Sequence, residues 1–336
     1  MKAAVLHETG GPEAFRLEDV PVPPPGPTQV LIKVAACGMC GHDQADRSGL
    51  TNVEMPVILG HEVSGTVVDL GPKASHFQAG DRVACKQFTT CGWCRACQSG
   101  RDVECDQRSF NYGGFAEFVA IEERALLPVP DEVDLAEASV VACALGSCVH
   151  ALRQIARLAF GETVLVTGAG GGLGLHGLQF ARSLGARTIA LTTSPDKVEK
   201  LQQCGADAVV LAGGDAYWQN ILAANAGNPV DVVLDNVGHP AVFTPCFWAL
   251  ARGGRYVFTG QVERRKVEFY PAFVLGKEAI ITGSGSTRSF EFMDAMESVR
   301  TGSVRPVIER FPLDSVVEAW RRMDARQVFG RAVLVP

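Results

Sequence analysis

Cys91, Cys94, Cys97 and Cys105 stand in a C-x2-C-x2-C-x7-C run. Two-residue gaps let consecutive thiolates turn onto one tetrahedral zinc, giving a closed site that serves folding. Unligated cysteines and a nucleic-acid-binding zinc ribbon are the competing readings. Only scattered Arg95, Arg101 and Arg108 accompany the run, which speaks against the ribbon. Cys40, His61 and Cys143 are far apart, in ACGMCGHD (36–43), GHEVSG (60–65) and VACA (141–144). Taken singly, each is an ordinary core or surface residue. A Cys/His/Cys set, however, leaves a fourth zinc position open for water or substrate. Residues 168–174 read GAGGGLG. Alone, such a string is as readily a linker. Placed between a buried-strand run and a helix, it suits a dinucleotide pyrophosphate. Zinc and a dinucleotide turn together point to metal-assisted hydride transfer.

Cofactor choice is read at the end of the next strand, where a carboxylate would bind the ribose hydroxyls of NAD. Here stand Thr192, Thr193 and Ser194, with Lys197 one turn on and Asp196 beyond the strand end. Hydroxyls and a lysine suit a 2′-phosphate, so NADP(H) is favoured over NAD(H).

These residues need elements to hold them. The first 140 residues are turn-rich, with strand-like runs at 30–36, 62–69 and 81–85. PVPPPGP at 21–27 is a stiff connector. Residues 135–156 have the content of one or two packed helices. From 163 the pattern alternates strand and helix: TVLVT (163–167), a helix over 175–184 and RTIALTT (187–193). A second helix covers 195–204 behind Ser194 as N-cap, with strands at 208–211, 230–235 and 255–259. That alternation predicts a doubly wound parallel sheet. Residues 311–326 read as a helix capped near Asp314, and 331–335 as a closing strand. The expected division is a catalytic domain from 1–144 and 286–336, with a dinucleotide-binding domain at 145–285 inserted in it.

The bulk numbers narrow the function classes. The chain has 336 residues, 47% hydrophobic and 20% charged, with a net charge of −6. That balance gives no basic footprint for nucleic acid. No apolar run approaches the roughly 20 residues of a membrane span, and residues 1–6 open a strand, not a leader. Eleven cysteines without a leader read as metal thiolates in a cytoplasmic protein rather than secretory disulfides.

On the CGMCGHD and GHEVSG segments and the four-cysteine loop, in that order and spacing, the chain resembles the zinc-dependent medium-chain dehydrogenase/reductase family, which includes the alcohol dehydrogenases. The resemblance runs from residue 1 to GRAVL at 330–334. It implies an α/β chain: a GroES-like β-rich catalytic domain and a Rossmann cofactor domain. By position, Cys40, His61 and Cys143 become ligands of a catalytic zinc, and Cys37 a mere neighbour. Glu62 is a carboxylate behind the metal that can also ligate it. Asp43 is the acid that fixes the tautomer of His61. The cysteine loop holds a second, structural zinc. Ser147, Gly170, Gly171, Gly172, Leu173, Gly174, Val237 and Arg331 fall at cofactor-contacting positions, Arg331 toward the phosphates.

Two departures from the family stand out. Its proton-relaying Ser or Thr, two residues after the zinc cysteine, is replaced by His42, and Ala45 follows. His42 is therefore either a substitute relay or a wall residue. The stretch between Cys105 and Gly113 is short, and Phe110, Asn111 and Tyr112 are candidates to line the substrate mouth. The resemblance implies an alcohol/aldehyde or ketone oxidoreductase. An enoyl-thioester C=C reductase, like the acryloyl-CoA reductases, is the alternative, and a protein that binds the dinucleotide without catalysis a third. It also implies a homodimer or homotetramer joined through an edge strand near 279–282.

Overall fold

The computed structural model describes residues 1–214 and 217–336. It forms two compact units: residues 1–146 with 286–301 and 306–336, and residues 147–285 with 302–305.

The first unit is built around one long strand, Gln29–Gly38, whose Val30, Ile32 and Val34 are buried. It pairs antiparallel with Glu62–Leu70, Phe118–Glu122 and Arg331–Val335. Arg82–Cys85, Leu126–Pro128 and Ile308–Pro312 complete a seven-stranded sheet. Register decides what this sheet brings together. Gly38 faces both Glu62 and Val333, so the chain after Gly38, the start of the Glu62 strand and Arg331 share one end. The core beneath holds Phe15 stacked on Trp320 at 5.9 Å, with Phe115 edge-on to both. Such aromatic pairs add about 0.5–1.5 kcal/mol beyond burial.

The second unit is a six-stranded parallel sheet. Its order is Ala208–Leu211, Arg187–Thr192, Thr163–Val166, Val230–Asp235, Leu250–Phe258, Ile280–Gly283. Leu165, Ile189 and Val233 are fully buried, as strands covered on both faces require. The expected GroES-like and Rossmann architectures are both present.

Three local expectations are corrected. Residues 311–312 belong to the strand Ile308–Pro312, and the helix is Val316–Asp324. Asp314 does not cap it, because a 3-10 turn, Leu313–Ser315, intervenes. Ser194 makes no side-chain cap; instead its N–H donates to Thr192 Oγ1 at 3.1 Å. Residues 135–156 contain two π-helical stretches, Val141–Leu145 and His150–Ile155. The first carries Cys143. Such widened turns re-aim a side chain within a helix and recur at functional sites.

Candidate metal centre and dinucleotide turn

Cys40 lies between the strand Gln29–Gly38 and the helix Gly41–Arg47, as that helix's N-cap. Its N–H donates to Asp43 Oδ2 at 2.9 Å, and His42 N–H donates to its sulfur at 3.4 Å. The other Asp43 oxygen accepts from Gly60 N–H and His61 Nδ1, both at 3.1 Å. His61 therefore carries its proton on Nδ1 and offers the Nε2 lone pair. Gly60 makes this turn possible. It sits at φ +89, and a Cβ there would lie 2.5 Å from Phe115 and 2.8 Å from the sulfur of Cys37.

The ligand atoms of Cys40, His61, Glu62 and Cys143 all lie within 4.8 Å of one another, and all four residues are buried. Cys143 sulfur is 3.7 Å from Cys40 sulfur and 3.9 Å from His61 Nε2. A tetrahedral zinc with bonds of about 2.3 Å to sulfur spaces thiolates at roughly 3.8 Å. The geometry fits the ion. So does the polar bookkeeping. Both Glu62 oxygens are buried without a hydrogen bond, as are Nε and Nη2 of Arg331, although Nη2 stands 3.1 Å from Glu62 Oε1. Burial without partners is costly, and a cation at this site would relieve it for Glu62.

Proton affinities agree. The hydrogen bond with Cys143, then Arg331 and His61, holds Cys40 well below the ordinary thiol range. Cys143 moves the opposite way and acts as the donor of that pair. Burial opposes a charge on His61, yet Asp43 and Cys40 more than offset it and raise His61. Burial pushes Glu62 up to about 7 despite Arg331. Cys37, expected to be only a neighbour, is driven up by burial and donates to Gly38 O at 3.6 Å.

Arg331, expected to reach the cofactor phosphates, is buried behind this centre and donates to Met39 O at 3.2 Å.

An aromatic wall flanks His61. The His42 ring stacks on Phe110 at 4.3 Å and lies 5.7 Å from the His61 ring. Phe110 in turn stacks on Tyr112 at 5.1 Å and packs against Phe88 at 4.3 Å. Of the three expected mouth residues, Asn111 is turned inward: it accepts from Thr89 Oγ1 at 2.7 Å and donates to Lys86 O at 2.8 Å. Asp46 was missed from the sequence. It is fully buried and accepts from Tyr112 at 2.9 Å and from Thr51. Its i,i+4 spacing from His42 on the helix Gly41–Arg47 was the available signal.

Cys91, Cys94, Cys97 and Cys105 also converge within 4.8 Å. Cys97 sulfur lies 3.5 Å from Cys94 and 3.9 Å from Cys91, again spacings that suit zinc. Asp102, between Cys97 and Cys105, anchors the loop by pairing with buried Lys86 and accepting from Ser289 Oγ at 2.6 Å.

In the second unit GAGGGLG joins the strand Thr163–Val166 to the helix Gly172–Ser183, with Gly171 as N-cap. A Cβ on Gly174 would lie 2.4 Å from Gly168 O, so only glycine lets the helix start this close to the strand. Leu173 O accepts from Cys148 sulfur at 3.2 Å. Ser147 is buried in the neighbouring short helix Gly146–Val149. Val237 follows the strand Val230–Asp235, and its side chain would lie 3.1 Å from a Cβ on Gly168. At the end of the strand Arg187–Thr192, Thr193 is exposed, Ser194 half-buried and Lys197 buried. Lys197 lies across the turn: a Cβ on Gly170 would meet its Cδ at 2.7 Å.

Known proteins carry the same two-part plan. The family model of the alcohol dehydrogenase GroES-like domain matches residues 26–131, and that of the zinc-binding dehydrogenase matches residues 172–301. The chain belongs to the zinc-dependent medium-chain dehydrogenase/reductase family. It is 32% identical to an acryloyl-coenzyme A reductase of Sulfurisphaera tokodaii, covering 100% of each chain. An NAD-dependent alcohol dehydrogenase of the same organism is 30% identical, again over 100% of each. The crystal structure of AibC superposes with a TM-score of 0.92 at 38% identity, covering 100% of this chain and 96% of that one. This dehydrogenase is an oxidoreductase, and among its described residues no helix is long and apolar enough to cross a membrane.

Proposed function

We propose that this enzyme moves a hydride between NADP(H) and an alcohol, releasing or consuming an aldehyde or ketone. One observation carries the reading: two cysteine sulfurs, an imidazole nitrogen and a carboxylate that makes no hydrogen bond converge within 4.8 Å of one another, all buried. Cys40, His61 and Cys143 would hold a zinc ion, which would supply a Lewis acid for the substrate oxygen. Asp43 orients His61. Glu62, within 4.8 Å of the same ligand atoms, would serve as a further carboxylate ligand to that ion. The stack of His42, Phe110 and Tyr112 keeps water from the reacting carbon, and His42 accepts or returns the alcohol proton. Thr192, Thr193, Ser194 and Lys197 favour the 2′-phosphate. Turnover of a panel of alcohols and carbonyls with either cofactor tests this, and no activity above background sinks it.

A second reading, reduction of the activated C=C of an enoyl-thioester, is favoured by a specific feature. His42, stacked on Phe110, stands where the family resemblance implies a hydroxyl, and the chain is 32% identical to the acryloyl-coenzyme A reductase against 30% for the alcohol dehydrogenase. NADPH consumption with an enoyl-CoA against an aldehyde discriminates the two.

The same proposal includes a homodimer or homotetramer. The strand Ile280–Gly283 is an edge of its sheet, with Ile280, Tyr270, Phe273 and Leu275 exposed nearby. A second copy of the strand would cover that edge; a monomer by light scattering at micromolar concentration rejects it. Cysteines gathered for metal binding rather than into disulfides support a cytoplasmic location.

A further inference from the structure

Beneath the dinucleotide turn lies a buried carboxylate that neither the metal centre nor the glycine motif accounts for. Asp235, the last residue of the strand Val230–Asp235, is fully buried. Its Oδ1 accepts from Thr167 Oγ1 at 2.7 Å, Val237 N–H at 2.9 Å and Gly238 N–H at 3.1 Å. Its Oδ2 accepts from Tyr256 hydroxyl at 2.7 Å. The network continues around it. Thr167 Oγ1 accepts from Asn236 N–H at 3.0 Å, and Asn236 Nδ2 donates to Thr167 O at 2.8 Å. Thr259 Oγ1 donates to Asn236 Oδ1 at 2.6 Å. The ends of three adjacent parallel strands are thereby tied together just where the chain turns into Gly168–Gly174.

The two oxygens have different neighbours. Oδ1 holds the turn: the peptides of Val237 and Gly238 and the hydroxyl of Thr167, which immediately precedes Gly168. Val237 then packs against Gly168, with its Cγ2 3.1 Å from where a Cβ would stand. Oδ2 faces the other way, into the core around Tyr256. A carboxylate accepting several short bonds to N–H and O–H groups is a stiff anchor, because charge-assisted bonds are roughly twice as strong as neutral ones. Ligands of open α/β sheets bind outside the carboxyl ends of the strands, which is where this anchor acts.

We propose that Asp235 is a positioning residue for the dinucleotide. Through its Oδ1 it presets the Val237–Gly238 turn and the entry to Gly168, so that cofactor binding does not have to order them. This inference rests on the dinucleotide reading above.

The test compares two near-isosteric deletions on opposite sides of the carboxylate, read by fluorescence titration with NADPH and NADH and by thermal melting. Thr167→Val removes an Oδ1 partner, and Tyr256→Phe removes the Oδ2 partner. Both should lower the melting temperature. Thr167→Val should weaken cofactor binding about tenfold, whereas Tyr256→Phe should change it less than threefold. Asp235→Asn, which keeps the shape and loses the charge, should weaken binding as Thr167→Val does, with kcat at saturating cofactor changed less than threefold. Affinity that tracks melting temperature equally in all three variants overturns the proposal and leaves Asp235 a structural anchor. Unchanged affinity in Thr167→Val and Asp235→Asn overturns it too. Failure of the parent protein to bind either cofactor overturns the dinucleotide reading itself and this role with it.

Discussion

Tyr112 gives its only hydroxyl proton to Asp46, at 2.9 Å. Burial and the Asp46 carboxylate drive the phenol far above its ordinary proton affinity, so it stays protonated. Its oxygen can then only accept from His42 Nε2, 3.3 Å away. The imidazole is thereby held with a proton on Nε2 and a lone pair on Nδ1. A ring so fixed, stacked on Phe110, is prepared to accept a proton from one direction only.

Tyr112→Phe removes the acceptor that sets this tautomer while keeping the stack on Phe110. It should lower kcat for alcohol oxidation about tenfold, a modest part of the 10²–10⁴ typical of general acid–base catalysis. KM should change less than threefold and zinc content should hold. Steady-state kinetics with metal analysis checks this. A rise in KM alone would show that Tyr112 only shapes the wall.

Cys97→Ser should leave a three-thiolate site in the loop that Asp102 and Lys86 anchor. Zinc per chain should fall from two toward one, and the melting temperature should drop, because structural metal binding is folding free energy. Metal analysis and calorimetry on one preparation give both numbers. Unchanged zinc and unchanged melting would remove the structural assignment.

The two cysteine groups and the glycine turn were legible because their chemistry dictates residue type and short-range spacing. Ligands for one ion must be Cys, His or carboxylate, and a helix beginning against a strand must start with glycine. What was not legible depends on register and packing between distant segments. Nothing local says that Arg331 meets Glu62; that follows from Gly38 pairing with both Glu62 and Val333. Nor does FNY at 110–112 say which of its residues turns inward: Asn111 does, because Lys86 O and Thr89 satisfy its amide. The 311–326 pattern misled because the apolar residues of the strand Ile308–Pro312 run on into the helix period of Val316–Asp324.

Lys197→Met should separate the two cofactors. The substitution keeps the buried stem that crosses Gly170 and removes the ammonium. A charge-assisted hydrogen bond contributes about 1.5–3 kcal/mol, so KM for NADPH should rise about tenfold or more. KM for NADH should move less than twofold. Equal changes for both cofactors would mean that Lys197 packs against the turn without reading the 2′-phosphate.

Glu62 gives the metal-free centre a distinctive pH dependence. Its carboxyl titrates at about 7 when folded, against an ordinary 4.5. Between those values the folded chain keeps a proton that the unfolded chain has released. The stability this group contributes is therefore full below about pH 4.5 and is lost as pH rises to about 7. The shift corresponds to roughly 3 kcal/mol in order of magnitude. Urea midpoints of protein stripped of the Cys40-site ion should fall across that window, and Glu62→Gln should flatten the fall. Restoring zinc should also flatten it, because a cation favours the carboxylate.

His42 decides between the two chemistries. If it takes the alcohol proton, His42→Ala should cut kcat for alcohol oxidation by about 10²-fold, within the usual range for an acid–base group. His42→Thr supplies a hydroxyl and should recover most of that loss. Removing the ring also opens the stack on Phe110, so KM should rise in His42→Ala whichever reaction is catalysed; the informative quantity is kcat at saturating substrate. With an enoyl-CoA the hydride goes to carbon and no alcohol proton has to leave. The same two variants should then differ little from each other in kcat. Measuring both substrates on both variants therefore separates a relay from a wall. Recovery by threonine confined to the alcohol reaction supports the relay, and equal losses in both variants on the alcohol reject it and favour C=C reduction.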